Sequence, residues 1–194
     1  EEYAAFLRQL GDEKGSRGTK PTVNRTRLYL HIGMPKTGST SIQYFMYMNR
    51  SLLERRGVYY PKEHCHGYAH HPIAWLCLPT PRFMDPLKNN YSSREEWVAD
   101  LEDFREHLKA SRYDKIVISS ELFTNADPAK VANFFRDFDV RVILYLRRQD
   151  LYLESSYNQN RKMKVRTRRL TDSANRDQYL NWILPKLDHL ALVD

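Results

Sequence analysis

Cysteine is scarce in this sequence, and long apolar runs are missing. Cys65 and Cys77 are the only two cysteines among 194 residues. They are too few for a disulfide framework and lack a metal-binding spacing, so free thiols are expected, although one bridge is possible. No run approaches the ~20 apolar residues that cross a bilayer, and no signal-peptide core opens the chain. These features favour a cytoplasmic protein without a transmembrane segment, while a start at Glu1 leaves room for a removed targeting or anchoring segment.

Acidic residues are outnumbered, and the excess of positive charge is concentrated. Asp and Glu number 24 against 31 Lys and Arg, which gives a net charge of +7. The tract RKMKVRTRR over residues 161–169 is the most basic part of the chain. It is either a solvated helix end or loop, or a surface for a polyanion such as nucleic acid, an acidic glycan or the phosphates of a nucleotide. Charge alone does not distinguish these alternatives.

The order of apolar patterns predicts an α/β fold. Residues 1–27 read as an N-terminal extension, with a short helix over 1–10 and a polar linker, and residues 28–194 read as one domain. Strands are predicted at 28–33, 58–60, 115–119 and 140–146, and helices at 39–56, 71–78, 94–110, 127–138, 150–160 and 176–192. Alternating strands and helices predict a three-layer α/β/α domain with a central parallel sheet. Ligands of such sheets bind beyond the carboxyl ends of the strands.

The segment that follows the first predicted strand has the features of a P-loop-like phosphate-binding loop. GMPKTGST (33–40) opens a helix and has the G-x4-G spacing between Gly33 and Gly38. Backbone amides at a helix N-terminus bind anions. The lysine that usually follows the second glycine is replaced by Ser39, and a lysine stands earlier, at Lys36. That position suits a shorter phosphate group with a leaving oxygen near the start of the loop.

This loop carries a family resemblance. HIGMPKTGSTSIQ (31–43) closely resembles the 5′-phosphosulfate loop of sulfotransferases that use 3′-phosphoadenosine-5′-phosphosulfate (PAPS), particularly the bacterial and carbohydrate-type members. The resemblance implies that Lys36 contacts the bridging oxygen between phosphate and sulfate. It also implies a set of loop residues around the 5′-phosphate, namely Pro35, Thr37, Gly38, Ser39 and Thr40.

The same family resemblance implies a second motif, which binds the 3′-phosphate of PAPS. It consists of an arginine at a strand end, a serine eight residues later and a tyrosine two beyond, and it is matched by Arg147, Ser155 and Tyr157. A guanidinium and a hydroxyl at this spacing can converge on one dianionic phosphate. Arg148 and Ser156 have the same spacing, so a register shifted by one residue stays open. The Asn-Pro that commonly follows the arginine is absent.

The resemblance covers about residues 28–160, and it implies a catalytic activity. The chain would transfer a sulfuryl group from PAPS to a hydroxyl or amine acceptor, with a carbohydrate as the expected acceptor and adenosine 3′,5′-bisphosphate as the product. Neither a metal nor a nucleic-acid partner is expected. Members of the family usually continue beyond the point where this chain stops, at Asp194, which implies a domain truncated at its C-terminus.

Sulfuryl transfer also requires a base for the acceptor proton. In related enzymes it is a His or Glu some tens of residues after the loop. His70 and His71 are candidates in a histidine-rich segment, and Glu121 is a third, expected at the end of strand 115–119. His71 is preferred because histidine can be neutral at pH 7. Glu121 could instead orient Lys36 or the acceptor.

Two other classes of function compete with this interpretation. A P-loop kinase or other phosphotransferase would need a lysine after Gly38 and an acidic residue after an apolar strand, and Ser39 argues against it. A non-enzymatic polyanion-binding domain would use residues 161–169, but it leaves the loop unexplained.

Overall fold

The computed structural model of the chain describes residues 26–162 and Asn181. The predicted helix over 1–10, most of the tract 161–169 and nearly all of the predicted helix 176–192 lie outside the described residues. Two compact units are formed, one from residues 26–32 with 40–143 and the other from residues 33–39 with 144–162.

The first unit contains a four-stranded parallel sheet. Its strands are β1 (Arg27–His31), β2 (Val58–Tyr59), β3 (Lys115–Ser119) and β4 (Asp139–Ile143), in the order β2-β3-β1-β4. In the register of the sheet, His31 at the end of β1 lies opposite Ser119 of β3 and Ile143 of β4. The carboxyl ends of these three strands are therefore aligned.

Helices connect the strands and flank the sheet, which confirms the predicted α/β class with its three layers. The α-helices are α1 (Ser39–Met48), α2 (Arg50–Glu54), α3 (His71–Leu76), α4 (Asp85–Lys88), α5 (Arg94–Ala110), α6 (Pro128–Phe134) and α7 (Gln149–Lys162), and a 3-10 helix spans Glu121–Asn125.

Both faces of the central strands are buried. Leu28 and Leu30 of β1 belong to one hydrophobic cluster with Trp97 of α5. Tyr29, which points to the opposite face of β1, is only 2% exposed, and Val117 of β3 is fully buried. Strands buried on both sides are typical of a parallel sheet covered by helices.

Some predicted boundaries are confirmed and others are corrected. Strand 115–119 and helix 94–110 have the bounds that the sequence predicts, and Oγ of Ser93 caps α5 by accepting from the amide of Glu96 at 3.2 Å. The single helix predicted over 39–56 is interrupted at Asn49, whose side-chain amide donates to the Phe45 carbonyl at 2.8 Å. Such a bond competes with regular helical hydrogen bonding.

The predicted strand 140–146 is wrong at its end, because β4 stops at Ile143. Its neighbour β1 stops at His31, directly opposite Ile143, so the ladder of paired residues ends there. The helix predicted over 127–138 is also shorter and ends at Phe134. Asp150, the first residue of the predicted helix 150–160, lies in the first turn of α7, which begins at Gln149. Helix α4 and the 3-10 helix were not predicted from the sequence.

Both thiols are free, as the sequence predicts. Burial raises the pKa of Cys65 and of Cys77 to about 12. Within the part of the chain that the structure describes, no helix has the length and apolarity of a membrane span.

Candidate functional site

The loop of residues 33–39 has an unusual backbone. Lys36 has φ 71° and Gly38 has φ 88°, so both adopt the left-handed conformation. Glycine does so without steric cost, whereas a lysine there is uncommon. The amide and the hydroxyl of Thr37 both bond to the Met34 carbonyl, at 3.3 and 2.5 Å. The amide and the hydroxyl of Thr37, which are the two groups that could donate to a phosphate, are therefore both hydrogen-bonded within the loop.

Helix α1 begins at Ser39, directly after this loop. The first amides of a helix have no acceptor within the helix, so those near Ser39 and Thr40 can donate to an anion. Ser39 is buried and Thr40 is exposed. Pro35 and Lys36 are half-buried. Of the expected phosphate-binding residues, Pro35 to Gly38 lie in the loop, and Ser39 and Thr40 open helix α1.

Arg147 contacts the loop from a distant part of the sequence. Its Nη1 donates to the Lys36 carbonyl oxygen at 2.8 Å. Because β4 ends at Ile143, Arg147 lies in the irregular segment before α7 and not at a strand end. The hydrogen bond fixes the left-handed residue of the loop to this segment.

Lys36, Arg147 and Ser155 line one pocket of about 430 Å³. Its remaining lining residues are Leu151, Glu154, Asn158 and Gln159 of α7. The sequence analysis did not identify these four. Steps of three and four residues lead from Leu151 to Glu154 and Ser155, and from these to Asn158 and Gln159, so all lie on one helix face. That spacing is the signal that would have found them.

The alternative pair, Arg148 and Ser156, does not line this pocket. Arg148 forms a two-pronged ion pair with Asp150, with N···O distances of 2.6 and 2.7 Å. Ser156 is 5% exposed and hydrogen-bonds Tyr152. Of the two possible registers, the structure brings only the Arg147 and Ser155 pair together with Lys36.

A separate group of polar side chains lies in the first unit, at the end of β3. Gln43 of α1 is 3% exposed, and its Nε2 donates to Ser119 Oγ at 3.2 Å and to Glu121 Oε2 at 2.9 Å. Glu121 lies two residues beyond the end of β3, near the strand end where the sequence places it, and is the first residue of the 3-10 helix. Its carboxylate is held in one orientation by the buried amide.

His71 faces the same carboxylate. Its Nδ1 is 2.8 Å from Ser120 Oγ, and its Nε2 is 4.0 Å from Glu121 Oε1. Both side chains keep partial contact with solvent, at 18% and 21% exposure. Burial lowers the pKa of His71 below its ordinary value of 6.5, and the charge of Glu121 opposes this shift. His71 and Glu121 thus form an acid–base pair that solvent can reach.

His70, the other histidine considered as a base, has a structural role. It is fully buried, its Nδ1 accepts from the Ser119 amide at 3.1 Å, and its Nε2 donates to the Pro61 carbonyl at 3.0 Å. Burial lowers its pKa to about 3. Since both ring nitrogens are engaged with the backbone, His70 is not available to accept a proton.

His31 is a further buried histidine that the sequence analysis gave no role. Its Nδ1 is 2.7 Å from Ser119 Oγ, and burial lowers its pKa to about 4, against the opposing charge of Glu121. Gln43, Ser119 and Ser120 were likewise not assigned. Their positions in the sequence were the available signal, because Ser119 ends an apolar strand, Ser120 follows it, and Gln43 belongs to the loop motif.

The remaining histidines of the 64–71 segment have different neighbours. His64 lies 3.6 Å from an Asp100 carboxylate oxygen, and His66 packs on Trp75 with ring centroids 5.6 Å apart. Among the residues that the structure describes, no group of three or more His, Cys, Asp and Glu side chains is placed to hold a metal ion.

Comparisons with protein-family models, with curated proteins and with solved structures found no match to this chain.

Proposed function

We propose that this chain transfers a sulfuryl group from PAPS to a hydroxyl acceptor. The observation that supports this most is the pocket lined by Lys36, Arg147 and Ser155. Two cations and a hydroxyl converge there, and the loop motif beside them resembles the 5′-phosphosulfate loop. A nucleotide with phosphates at both the 5′ and 3′ positions suits this arrangement, because each phosphate has its own set of donors.

The loop with the start of α1, and Arg147 with Ser155, would bind the cosubstrate. The first amides of α1 would hold the 5′-phosphate, and Arg147 with Ser155 would hold the 3′-phosphate. Glu154 also lines the pocket. A carboxylate repels a phosphate, so we assign Glu154 to the nucleoside part of the ligand and not to its phosphates.

The chemical step is a displacement at sulfur. The acceptor oxygen forms a bond to sulfur while the bond from sulfur to the 5′-phosphate oxygen breaks, and the electron pair of that bond stays on the phosphate. Negative charge therefore grows on the leaving oxygen of adenosine 3′,5′-bisphosphate. The Lys36 ammonium would stabilise that charge, and this stabilisation increases in the transition state.

The acceptor proton would pass to the pair formed by His71 and Glu121. Oε1 of Glu121 and Nε2 of His71 are 4.0 Å apart. A hydroxyl group that bridges these two atoms can donate to either of them. Gln43 fixes the carboxylate through its other oxygen. His71 is neutral at pH 7 because burial lowers its pKa, and it is thus ready to accept a proton.

Specific features disfavour the two alternative functions. A kinase of the P-loop class would use a lysine at the position of Ser39, whose side chain is buried and uncharged. A polyanion-binding domain would not need a left-handed lysine tied by a hydrogen bond to an arginine 111 residues later.

Transfer of labelled sulfate tests the proposal. The full chain is incubated with ³⁵S-labelled PAPS and a panel of acceptors that includes neutral, amino and uronic-acid sugars and phenols. Label in a product at a rate above the enzyme-free control supports the proposal. No transfer to any acceptor, together with phosphoryl transfer from ATP and Mg²⁺, would assign the chain to the phosphotransferases.

A further inference from the structure

Three tyrosines gather on the surface of the first unit. Tyr44 and Tyr68 have ring centroids 5.0 Å apart with an angle of 76° between the ring planes, and Tyr47 and Tyr68 have centroids 5.4 Å apart at 62°. Tyr44 is 47% exposed and Tyr68 is 40% exposed. We call Tyr44, Tyr47 and Tyr68 the tyrosine cluster. Contiguous exposed apolar side chains of this kind can mark a binding site.

The cluster is fixed in place from two sides. The Tyr68 carbonyl accepts from the hydroxyl of fully buried Tyr60 at 2.6 Å, and the turn before it uses Gly67 at φ 64°. The guanidinium carbon of Arg50 lies 3.8 Å from the centroid of Tyr47 and covers that ring. Tyr44 and Tyr68 are therefore the open rings, and their near-perpendicular planes form an aromatic corner.

We propose that this corner binds a saccharide, and that the saccharide is the acceptor of the proposed sulfuryl transfer. A pyranose ring presents an apolar C–H face and a polar rim, which match an aromatic floor bordered by phenol hydroxyls. Tyrosine supplies rigid, amphipathic contact area at low entropic cost. The Arg50 guanidinium beside Tyr47 adds a positive charge for a sugar that carries an acidic substituent. The acceptor role, unlike the binding itself, rests on the proposed function.

The cluster and the acid–base pair are carried by the same segments of the chain. On α1, Tyr47 follows Gln43 by four residues, so the two share a helix face with Cβ atoms about 5–6 Å apart. Gln43 in turn bonds Glu121. The loop that carries Tyr68 also carries His66, whose ring centroid is 6.2 Å from that of His71. Because helix α1 and the 66–71 loop carry both groups, we assign the bound saccharide as the acceptor.

Helices α1 and α2 offer a matched control. Met48 is 60% exposed and Leu52 is 37% exposed, and neither belongs to the tyrosine cluster. A protein interface on this surface would use these apolar side chains together with the tyrosines, because specific interfaces bury about 800 Å² per partner. A saccharide site would use the tyrosine rings and would not need Met48 or Leu52.

The test is an oligosaccharide array probed with the full chain. The array carries neutral, uronic-acid-containing and sulfated oligosaccharides, and it compares the natural chain with a Tyr44→Ala/Tyr68→Ala variant and a Met48→Ala/Leu52→Ala variant. We expect at least one oligosaccharide class to be retained by the natural chain and by the Met48/Leu52 variant, with at least tenfold weaker retention by the tyrosine variant. The proposal is overturned by retention of no oligosaccharide, by equal retention of all three proteins, or by equal losses in both variants.

Two further measurements keep the result interpretable. Thermal unfolding checks the fold, and if the double tyrosine variant melts early, the single Tyr44→Ala variant replaces it on the array. Sedimentation velocity tests the competing occupant, because a dimer of the natural chain that both variants dissociate would make this surface a protein interface and overturn the proposal. Binding of adenosine 3′,5′-bisphosphate is measured separately, so loss of the nucleotide assignment and loss of the saccharide site are distinguishable.

Discussion

The side chain of Arg147 donates a hydrogen bond of 2.8 Å to the carbonyl oxygen of Lys36. This bond gives the arginine two functions in our account. It stabilises the left-handed backbone at Lys36, and it uses one of the five guanidinium N–H donors, leaving a fork that a phosphate can engage. The residue proposed for the 3′-phosphate therefore also shapes the loop proposed for the 5′-phosphate.

The first prediction distinguishes the effect of the Lys36 charge on the transfer rate from the effect of its backbone conformation. Lys36→Gly removes the ammonium group while it fits φ 71° without strain, and Lys36→Ala removes the ammonium group in a strained backbone. We expect both variants to lower the rate of sulfuryl transfer by about 10²-fold or more, because they lose charge stabilisation in the transition state. Single-turnover kinetics with labelled PAPS measure this. The exposed Lys62→Ala is the control, and near-normal turnover in Lys36→Gly would remove the ammonium group from the mechanism.

The second prediction concerns nucleotide selectivity. Arg147→Ala and Ser155→Ala should each weaken binding of adenosine 3′,5′-bisphosphate by about 10- to 100-fold, since hydrogen bonds to charged groups contribute about 1.5–3 kcal/mol. Ser155→Ala should leave adenosine 5′-phosphate binding almost unchanged, whereas Arg147→Ala should weaken it slightly through the loop. Arg148→Ala is the control, because its side chain is exposed and paired with Asp150. Selective loss in Arg148→Ala and Ser156→Ala would shift the motif by one residue.

The third prediction concerns the base. We expect His71→Ala to lose most transfer activity while its affinity for adenosine 3′,5′-bisphosphate stays the same, since the base contacts the acceptor. Protonated histidine cannot accept a proton, so kcat/KM should fall as the pH drops through the pKa of His71. Burial places that acidic limb below 6.5, the ordinary pKa of histidine.

The control for this prediction is Glu121→Gln, which keeps the shape of the side chain and removes its charge. Without the charge that raises the pKa of His71, the acidic limb should move to lower pH. If His71→Ala stays active and Glu121→Gln is inactive with normal nucleotide binding, the carboxylate alone is the base.

Much of this arrangement could be predicted from local sequence. The apolar spacing of α5 and the run of β3 set their bounds, and the loop around Lys36 was recognised from its glycines and its lysine. The sequence also favoured Arg147 and Ser155 for the second motif, because Tyr157 then fits it, but Arg148 and Ser156 remained an alternative. That choice depends on the hydrogen bond to Lys36 and on the ion pair with Asp150, which only the folded chain provides.

The polar group at the end of β3 was harder to predict. His70 and His71 are neighbours in sequence with the same intrinsic chemistry, yet one is fully buried between backbone groups and the other faces a carboxylate. Burial depends on tertiary packing, which spacing does not encode. The same holds for Gln43, because a glutamine on a helix acquires a role only when the structure brings Glu121 to it.

The fourth prediction concerns stability and pH. His31 and His70 are fully buried, with pKa values lowered to about 4 and about 3. The unfolded chain binds protons on these histidines below about pH 6.5, whereas the folded chain does so only at much lower pH. The free energy of unfolding should therefore be greatest above this pH and should fall between about pH 6.5 and 4. The slope approaches about 1.4 kcal/mol per pH unit for each histidine.

Urea unfolding at a series of pH values from 7.5 to 5 measures this slope. His70→Asn should lower the stability at pH 7.5 and remove from the slope the contribution of one histidine, which approaches about 1.4 kcal/mol per pH unit, and the exposed His107→Gln is the control. An unchanged slope in His70→Asn would contradict the assignment of His70 as a buried neutral histidine.

The most direct test of the central claim is a calorimetric titration of the full chain with three nucleotides. It needs no knowledge of the acceptor, and it compares adenosine 3′,5′-bisphosphate, adenosine 5′-phosphate, and ATP with Mg²⁺. Our account predicts that adenosine 3′,5′-bisphosphate binds with at least about tenfold higher affinity than either of the others, because only this nucleotide engages both the loop and the Arg147 and Ser155 pair. Preferential binding of ATP with Mg²⁺, or no binding of adenosine 3′,5′-bisphosphate, would contradict it.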